Sequence, residues 1–300
     1  MSTELRIRVN GVHAAWPAFL GCDDAHCEEV RRDPYRVAHT SYSLLQYEGG
    51  RLMRHTLVDV GLGVIESLLE FERVHGLHVV HELLVTHPHF DHLAQLEWLA
   101  MSVEKNGRSD QPRPLAVYCS SACWQEGPAR VFPRVVRKGL IEHRPIEDGR
   151  AFELGDLRIT PAAVRHSESA PGAVGFIVEP MSDGAPRKII LTGDFRAPAD
   201  PANPIWQGAD VCFTDANTWN PTPGGDHQSV MEAIEWMRRW RTRRTYLIHY
   251  SGHGEPVDAP RGARAMTGAE LASAVDASRG ELDIRVARHG MILPADEPWP

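Results

Sequence analysis

Three histidines and one aspartate lie within six residues of the chain, and such side chains are typical of a metal site. They are His87, His89, Asp91 and His92, and they directly follow the apolar run at residues 83–85. His87 and His89 alternate in an extended segment, so both side chains point to the same side. Imidazole nitrogen and carboxylate oxygen suit zinc, iron or manganese, whereas calcium and magnesium prefer oxygen ligands alone. The spacing therefore predicts a metal centre at the end of a strand.

The pattern His-x-His-x-Asp-His after a strand resembles the signature of the metallo-β-lactamase superfamily. Members of that family carry three later ligands, each after a strand, and His166, Asp194 and His249 stand at the corresponding places here. The resemblance covers roughly residues 44–291. It implies two divalent ions, for which zinc, manganese and iron all remain open. The first ion would be bound by His87, His89 and His166 and the second by Asp91, His92 and His249, with Asp194 bridging them.

The implied ligand set indicates which reaction the site could catalyse. Two divalent ions ~3.5–4 Å apart can activate a shared water and stabilise negative charge on a phosphoryl or carbonyl oxygen. One residue departs from the family pattern, since Gln95 stands where a glycine usually follows the last histidine of the signature by three residues. This departure bears on the packing of the next helix more than on metal binding.

A second candidate metal site is the cysteine knuckle at residues 21–27. It resembles the Gly-Cys-x-Cys-x-x-Cys knuckle of phosphodiesterases from the phosphonate-degradation (carbon–phosphorus lyase) pathway, which binds a structural zinc. The resemblance implies a site formed by Cys22, Cys27 and His253, with Asp24 or His26 in place of the middle cysteine. Two thiolates and two nitrogen or oxygen donors can complete a tetrahedral zinc site. The alternative is a pair of unrelated thiols in a loop that has lost its zinc.

His227 and the ligand Asp91 are the candidate catalytic residues. His227 stands just before a predicted helix, and the resembling phosphodiesterases carry a histidine at the start of this helix. There it would donate a proton to the leaving alkoxide or hydrogen-bond a phosphoryl oxygen. The alternative is that Asp226 caps the helix and that His227 is a solvated residue of its first turn.

Four further residues are candidates for supporting roles. Asp215 ends a predicted strand, where it would orient a ligand histidine or simply form a turn. His289 replaces the aspartate of an Asp-Gly-Met sequence common among related proteins, so it either lines the site or lies in a surface turn. His13 and Trp16, just before the knuckle, are weaker candidates for reaching the pocket.

Short apolar runs alternate with helical patterns along the chain. They predict strands at residues 5–9, 43–47, 56–60, 82–86, 115–119, 157–164, 174–179, 188–192, 211–214, 245–248 and 284–287. Helices are predicted at residues 64–75, 93–104 and 228–240, and loops at residues 110–114, 197–204 and 220–225. This order favours two sheets with helices outside them. With the resemblance, the expected fold is α/β, a four-layer αβ/βα sandwich in a single domain over residues 1–300.

Composition limits the partners and the compartment. The net charge is −8, which argues against a nucleic-acid partner, and the arginine-rich run at residues 238–244 is predicted to be a solvated helix end. No apolar stretch reaches the ~18 residues of a membrane span, and no secretory signal pattern is present. Five scattered cysteines do not suit a disulfide framework. These features predict a cytoplasmic protein with a small-molecule substrate, and a homodimer is the default oligomer.

The features together favour a dinuclear hydrolase acting as a phosphodiesterase on a small cyclic phosphate or nucleotide-like diester, through metal-bound hydroxide. The alternative is a hydrolase of a lactone, amide or thioester on the same metals, because fold and metals do not fix the substrate. An RNA-processing nuclease is less favoured, since it needs a broad basic face. A non-enzymatic protein is disfavoured by the complete ligand set.

Overall fold

Two β-sheets with helices outside them make up the protein. The computed structural model describes residues 3–33, 37–181, 187–252, 265–294 and 298. Within these residues the strands are β1 (Thr3–Gly11), β2 (Ser41–Glu48), β3 (Arg51–Val58), β4 (Glu82–Leu84), β5 (Leu115–Cys119), β6 (Ile141–Pro145), β7 (Phe152–Leu154), β8 (Leu157–Arg165), β9 (Val174–Pro180), β10 (Ile189–Leu191), β11 (Ala197–Pro198), β12 (Val211–Asp215), β13 (Arg244–Ile248), β14 (Ile284–Val286) and β15 (Ile292–Leu293). The α-helices are α1 (Ala25–Arg32), α2 (Val64–His75), α3 (Phe90–Leu93), α4 (Leu96–Lys105), α5 (Ser121–Trp124), α6 (Pro133–Arg137), α7 (Val230–Trp240) and α8 (Gly268–Ser278).

The strand order places the ends of several strands side by side. The first sheet has the order β15-β1-β2-β3-β4-β5-β6, and the second has the order β11-β8-β9-β10-β12-β13-β14, with β7 paired to β8. Strands β3 to β6 run parallel, as do β10, β12, β13 and β14. Their carboxyl ends therefore meet at one edge of each sheet, where loops commonly carry functional side chains.

An apolar core lies between the two sheets. Alternate residues of the strands point into it, since successive side chains of a strand face opposite sides. Leu44 from the first sheet and Ile159, Phe176 and Phe213 from the second are fully buried there. Each such side chain contributes about 1.5–3 kcal/mol when it is removed from water, so this core holds the two sheets together.

Helices cover the outer face of each sheet. Helices α2, α4, α5 and α6 pack on the first sheet, and α7 and α8 pack on the second. The buried residues of α7 recur at spacings of three and four and form one apolar face. The order helix, sheet, sheet, helix confirms the predicted αβ/βα sandwich. Among the helices described, none is long and apolar enough to cross a membrane.

The departures from the predicted elements have local causes. The helix expected over residues 93–104 is divided into α3 and α4, because the backbone at Gln95 (φ −100°, ψ 14°) leaves the helical region between them. The helix expected from residue 228 begins at Val230, because Ser229 caps it and forms a capping box with Glu232, so Asp226 is not its cap. The strand expected over residues 56–60 ends before Asp59, whose φ is +58°. The expected loop at residues 197–204 contains β11.

Candidate metal centre

The predicted metal ligands lie at the carboxyl ends of strands from both sheets. The segment with the first four ligands follows β4, and His166, Asp194 and His249 follow β8, β10 and β13. The structure brings all seven side chains together into two clusters that share Asp194. Within each cluster, one ligand atom of every residue lies within 4.8 Å of the others. This is the arrangement that the sequence resemblance implied.

The first cluster consists of His87, His89, His166 and Asp194. The Nε2 atoms of His87 and His166 lie 3.5 and 3.6 Å from Asp194 Oδ2. His166 Nε2 is also 3.2 Å from Nδ1 of His89. Three imidazole nitrogens and one carboxylate oxygen therefore converge on one point.

The second cluster consists of Asp91, His92, Asp194 and His249, and all four residues are buried. His92 Nε2 lies 3.3 Å from Asp91 Oδ2 and 3.1 Å from Asp194 Oδ1. His249 Nδ1 lies 3.3 Å from the same Oδ1 atom. The two oxygens of Asp194 thus face different clusters, Oδ2 the first and Oδ1 the second, which is the geometry of a bridging ligand.

Buried atoms without hydrogen-bond partners show that these side chains fit metal ions. They include His87 Nε2, Asp91 Oδ2, His92 Nε2 and Asp194 Oδ1. A buried polar atom left unsatisfied costs about 1–3 kcal/mol, and a coordinated cation removes that cost. Burial alone would raise the pKa of Asp194, but the surrounding imidazoles outweigh it and hold the pKa well below its usual range. The bridging carboxylate is therefore ionised and able to bind a cation.

Hydrogen bonds on the far side of His92, His166 and His89 fix the direction of the ligand atom. His92 Nδ1 donates to Asp59 Oδ2 at 2.7 Å, and His166 Nδ1 donates to the carbonyl oxygen of Asp226 at 2.9 Å. Such bonds select the tautomer and leave Nε2 unprotonated for the metal. His89 is bonded by Ser169, 2.8 Å away.

Asp59 is a functional residue that the sequence reasoning missed. Its carboxylate accepts hydrogen bonds from Thr86 N and Thr86 Oγ1, both at 2.8 Å, in addition to the bond from His92. Asp59 and His249 both have left-handed backbones, with φ of +58° and +66°. Conformations of this kind cost of order 1–3 kcal/mol and cluster at active sites. The signal available in the sequence was only an aspartate between a strand and the glycine at position 61.

His227 lies beside the bridging aspartate, in the loop that precedes α7. Its Nδ1 donates to Asp215 Oδ2 at 2.7 Å and lies 3.9 Å from Asp194 Oδ2. The ring stacks on His249, with centroids 5.1 Å apart, and meets His166 edge-on at 4.7 Å. Burial lowers the pKa of His227, but nearby carboxylates, above all that of Asp215, outweigh burial and raise the pKa to about 9. His227 therefore lies at the centre, with Nδ1 on Asp215, and does not belong to the first turn of α7.

Asp215 and His289 contact residues other than the seven candidate ligands. Asp215 is fully buried and bonds His227 rather than one of the seven ligands. Its Oδ2 also accepts from the backbone N–H of Phe195 at 2.9 Å. His289 Nε2 lies 3.5 Å from Ser67 Oγ and 3.6 Å from Glu70 Oε2, both on α2. His289 therefore contacts a helix of the outer layer.

The departure at Gln95 has a clear packing role. Its Oε1 accepts from the backbone N–H of Ile65 at 2.8 Å, and its Nε2 donates to Glu66 Oε2 at 2.7 Å. Both partners lie in the first turn of α2, which has no side-chain cap of its own. The glutamine side chain therefore ties the metal-binding segment to the start of α2, a contact that a glycine could not make.

The cysteine knuckle is also assembled. Cys22, Asp24 and Cys27 form a third group with ligand atoms within 4.8 Å of one another. Asp24 Oδ2 accepts from Cys22 Sγ at 3.0 Å, while its Oδ1 caps α1 by accepting from Cys27 N at 2.8 Å. The ring of His26 lies instead beside Tyr250, with centroids 5.9 Å apart. His253, the expected distal ligand, lies outside the described residues.

Comparisons with known proteins agree with this geometry. A family model described as "Beta-lactamase superfamily domain" matches residues 54–250. The chain is 26% identical over 281 residues to a ribonuclease Z of Natronomonas pharaonis, which covers 75% of this chain and 87% of that protein. Its fold resembles that of a diphosphatase of the PhnP family, with TM-score 0.69 and 18% identity over 97% of both chains. It also resembles zinc-bound PqqB from Methylobacterium extorquens, with TM-score 0.67 and 17% identity over 96% of this chain and 99% of the other. The chain therefore belongs to the β-lactamase superfamily and is a hydrolase with the metallo-β-lactamase fold.

Proposed function

We propose that the protein is a dinuclear metal-dependent phosphodiesterase acting on a small cyclic phosphate or a nucleotide-like diester. The observation that carries this proposal is the shared carboxylate of Asp194, whose two oxygens face two separate clusters of ligands. Two divalent ions bound there would supply an activated water and neutralise charge on a phosphoryl oxygen. Such a centre suits an in-line displacement at phosphorus.

His227 supplies the proton that the leaving oxygen needs. The bond from its Nδ1 to Asp215 uses one side of the ring and leaves Nε2 for the substrate. Asp215 is in turn fixed by the backbone of Phe195, so the orientation of the imidazole does not depend on the substrate. A positioned acid of this kind contributes typically 10²–10⁴-fold to a rate. The carboxylate of Asp91 belongs to the second cluster of ligands, so we assign Asp91 to metal binding and not to proton transfer.

RNA processing is the second candidate, because the chain is similar to a ribonuclease Z over most of its length. The arginine-rich run at residues 238–244 is the segment of sequence that would suit an RNA backbone. Three of its five arginines are instead paired within the protein: Arg238 with Glu235, Arg243 with Asp210 at 3.1 Å, and Arg244 with Asp283 at 2.7 Å. RNA binding draws its affinity from cations that neutralise phosphates, and these three arginines already face carboxylates, which favours the small substrate.

We also propose that the cysteine knuckle binds one structural zinc through Cys22, Asp24, Cys27 and His253. Support comes from the convergence of two thiols and a carboxylate on one point. Cys27 is buried, and burial raises the pKa of its thiol to about 11. A bound zinc would reverse this shift, because it coordinates the thiolate.

A substrate panel tests the proposed activity. The purified protein, loaded with zinc or manganese, is assayed against bis(p-nitrophenyl) phosphate, a 2′,3′-cyclic nucleotide, a precursor tRNA, a lactone and a thioester. The proposal expects chelator-sensitive cleavage of the two small diesters with the highest kcat/KM. Preferred cleavage of the tRNA favours the second candidate. Preferred cleavage of the lactone or thioester contradicts both and points to carbon-centred chemistry.

A further inference from the structure

Three large apolar side chains are exposed to solvent immediately beside the metal centre. Trp16 is 60% exposed, Leu62 48% and Phe90 42%. We call these three residues the apolar rim. Exposed apolar side chains that stand singly need no explanation, but a group next to a functional centre commonly marks a ligand surface.

Phe90 and Leu62 are held at the centre by direct connections to its ligands. Phe90 stands between His89 and Asp91 in the chain. Leu62 follows Gly61, where a Cβ atom would approach the backbone oxygen of Asp91 to 1.8 Å. The two segments are thus in close contact, and only glycine permits this approach.

His39 contacts both Leu62 and Phe90. Its Nδ1 accepts from Leu62 N at 3.2 Å, and its backbone N–H donates to the carbonyl oxygen of Leu62 at 2.9 Å. Its ring meets that of Phe90 edge-on, with centroids 5.8 Å apart. Burial lowers the pKa of His39 to about 4, so a neutral imidazole lies against the aromatic ring.

Trp16 reaches the same place from the N-terminal segment. The backbone N–H of His249, a metal ligand, donates to the carbonyl oxygen of Val12 at 2.9 Å. His13 then forms β-bridges with His39 and with Tyr250. This anchoring brings the Trp16 ring to 5.2 Å from that of Phe90, at an interplanar angle of 43°. Three separate segments therefore converge to form one apolar surface.

The chemistry of this surface is complementary to that of the metal centre. The centre binds charge, whereas the rim offers aromatic faces and an aliphatic side chain to water. Base–aromatic stacking is worth ≈ 1–3 kcal/mol per base and accepts any planar ring. A phosphoester with a planar aromatic substituent could place its phosphoryl group at the clusters and its ring on the rim.

We propose that the apolar rim binds the aromatic substituent of the substrate, a nucleobase or an aryl group, and that Trp16 is a specificity-determining residue. The proposal rests on the proposed function only in taking a phosphoryl compound as the ligand of the centre. The apolar rim would favour aromatic diesters over alkyl diesters of the same charge.

Binding of two phosphonates tests the proposal without requiring turnover. Phenylphosphonate and methylphosphonate carry the same charged group, and their affinities for the metal-loaded protein are measured by calorimetry. The wild-type protein should bind phenylphosphonate about ten-fold more tightly. Trp16→Ala should reduce this preference to about two-fold, with the affinity for methylphosphonate unchanged. Trp98→Ala is the matched control, because Trp98 is 47% exposed on α4 and lies outside the rim.

Other results would overturn the proposal. Equal preference in Trp16→Ala and wild type would exclude the rim as a ligand surface. No detectable binding of either phosphonate would contradict the premise that the centre binds a phosphoryl group, and the proposal would fall with it. Dissociation of a dimer by Trp16→Ala in sedimentation velocity would assign the surface to a second copy of the chain. Failure of diester cleavage alone, with the phenyl preference intact, would contradict the proposed activity and leave the rim as a binding surface.

Discussion

The two clusters of the metal centre share Asp194 but are supported by different parts of the molecule. In the second cluster, His92 is oriented by the buried carboxylate of Asp59, and Nδ1 of His249 lies 3.0 Å from Oγ1 of Thr40, which is also buried. In the first cluster, His87 has a buried neighbour in Thr86, 3.0 Å from its Nδ1, but the other two histidines are oriented from exposed loops, His89 by Ser169 and His166 by the backbone of Asp226. One half of the centre is therefore built into the sandwich, and the other half depends on its surface.

This difference suggests a division of roles. Buried hydrogen bonds are stronger and more costly to break than exposed ones, so the second cluster should be the more rigid. All four residues of the second cluster are buried, whereas His89 and His166 of the first are partly exposed. We expect the second cluster to bind its ion more tightly, and the substrate to enter on the side of the first.

Removing the shared ligand should have the largest effect. Asp194→Asn keeps the volume of the side chain but takes away the charge that both clusters use. We expect both ions to be lost and diesterase activity to fall about a thousand-fold, since the ions supply several kcal/mol. Metal analysis and initial rates on bis(p-nitrophenyl) phosphate measure this. Retention of two ions would show that Asp194 does not bridge.

Removing His227, the proposed acid, should lower the rate of cleavage without loss of metal. His227→Ala is expected to reduce kcat about a hundred-fold on substrates with a poor leaving group. A p-nitrophenolate leaving group needs little protonation, so its rate should fall much less. Asp215→Asn should give the same pattern more weakly, because it misorients the imidazole. An equal loss for both leaving groups would contradict the acid role.

A paired comparison of supporting residues tests the division between the clusters directly. Asp59→Asn should weaken binding of one ion about 10–100-fold, as measured by competition with a chelator. Ser169→Ala should weaken binding of the other ion about five-fold or less, because a neutral exposed hydrogen bond is worth about 1 kcal/mol. Circular dichroism confirms that both variants are folded. An equal loss of ion affinity in the two variants would contradict the proposed difference between the two clusters.

The cysteine knuckle should affect stability and leave activity alone. Cys22→Ser is expected to remove one zinc per chain and to lower the Tm by about 5 °C, which corresponds to roughly 2 kcal/mol for a protein of this size. Values of kcat for diesters should be unchanged. A wild-type protein without the extra zinc would instead support the reading of two unrelated thiols.

The candidate ligands could be recognised in the sequence because they are dense and ordered along the chain, and the structure brings them together. It could not predict their support, since Asp59 is a lone aspartate whose role depends on the parallel pairing of β3 and β4. The start of α7 was predicted two residues too early, although Ser229 and Glu232 have the spacing of a capping box in the sequence. Helix α8 was not predicted, since Leu271 and Val275 are its only two buried residues and leave little periodic signal. Tertiary contacts also decided the role of Asp215, which bonds His227 rather than a ligand.

The account depends most on the claim that one carboxylate holds two catalytic ions. The most direct test is metal content per chain by mass spectrometry, measured with diester cleavage while a chelator is titrated. The account predicts a wild-type protein with two ions beyond any zinc that Cys22→Ser removes. It also predicts that activity disappears as the more weakly bound ion of the first cluster is withdrawn. Full activity with a single ion, or cleavage that survives complete removal of metal, would contradict it.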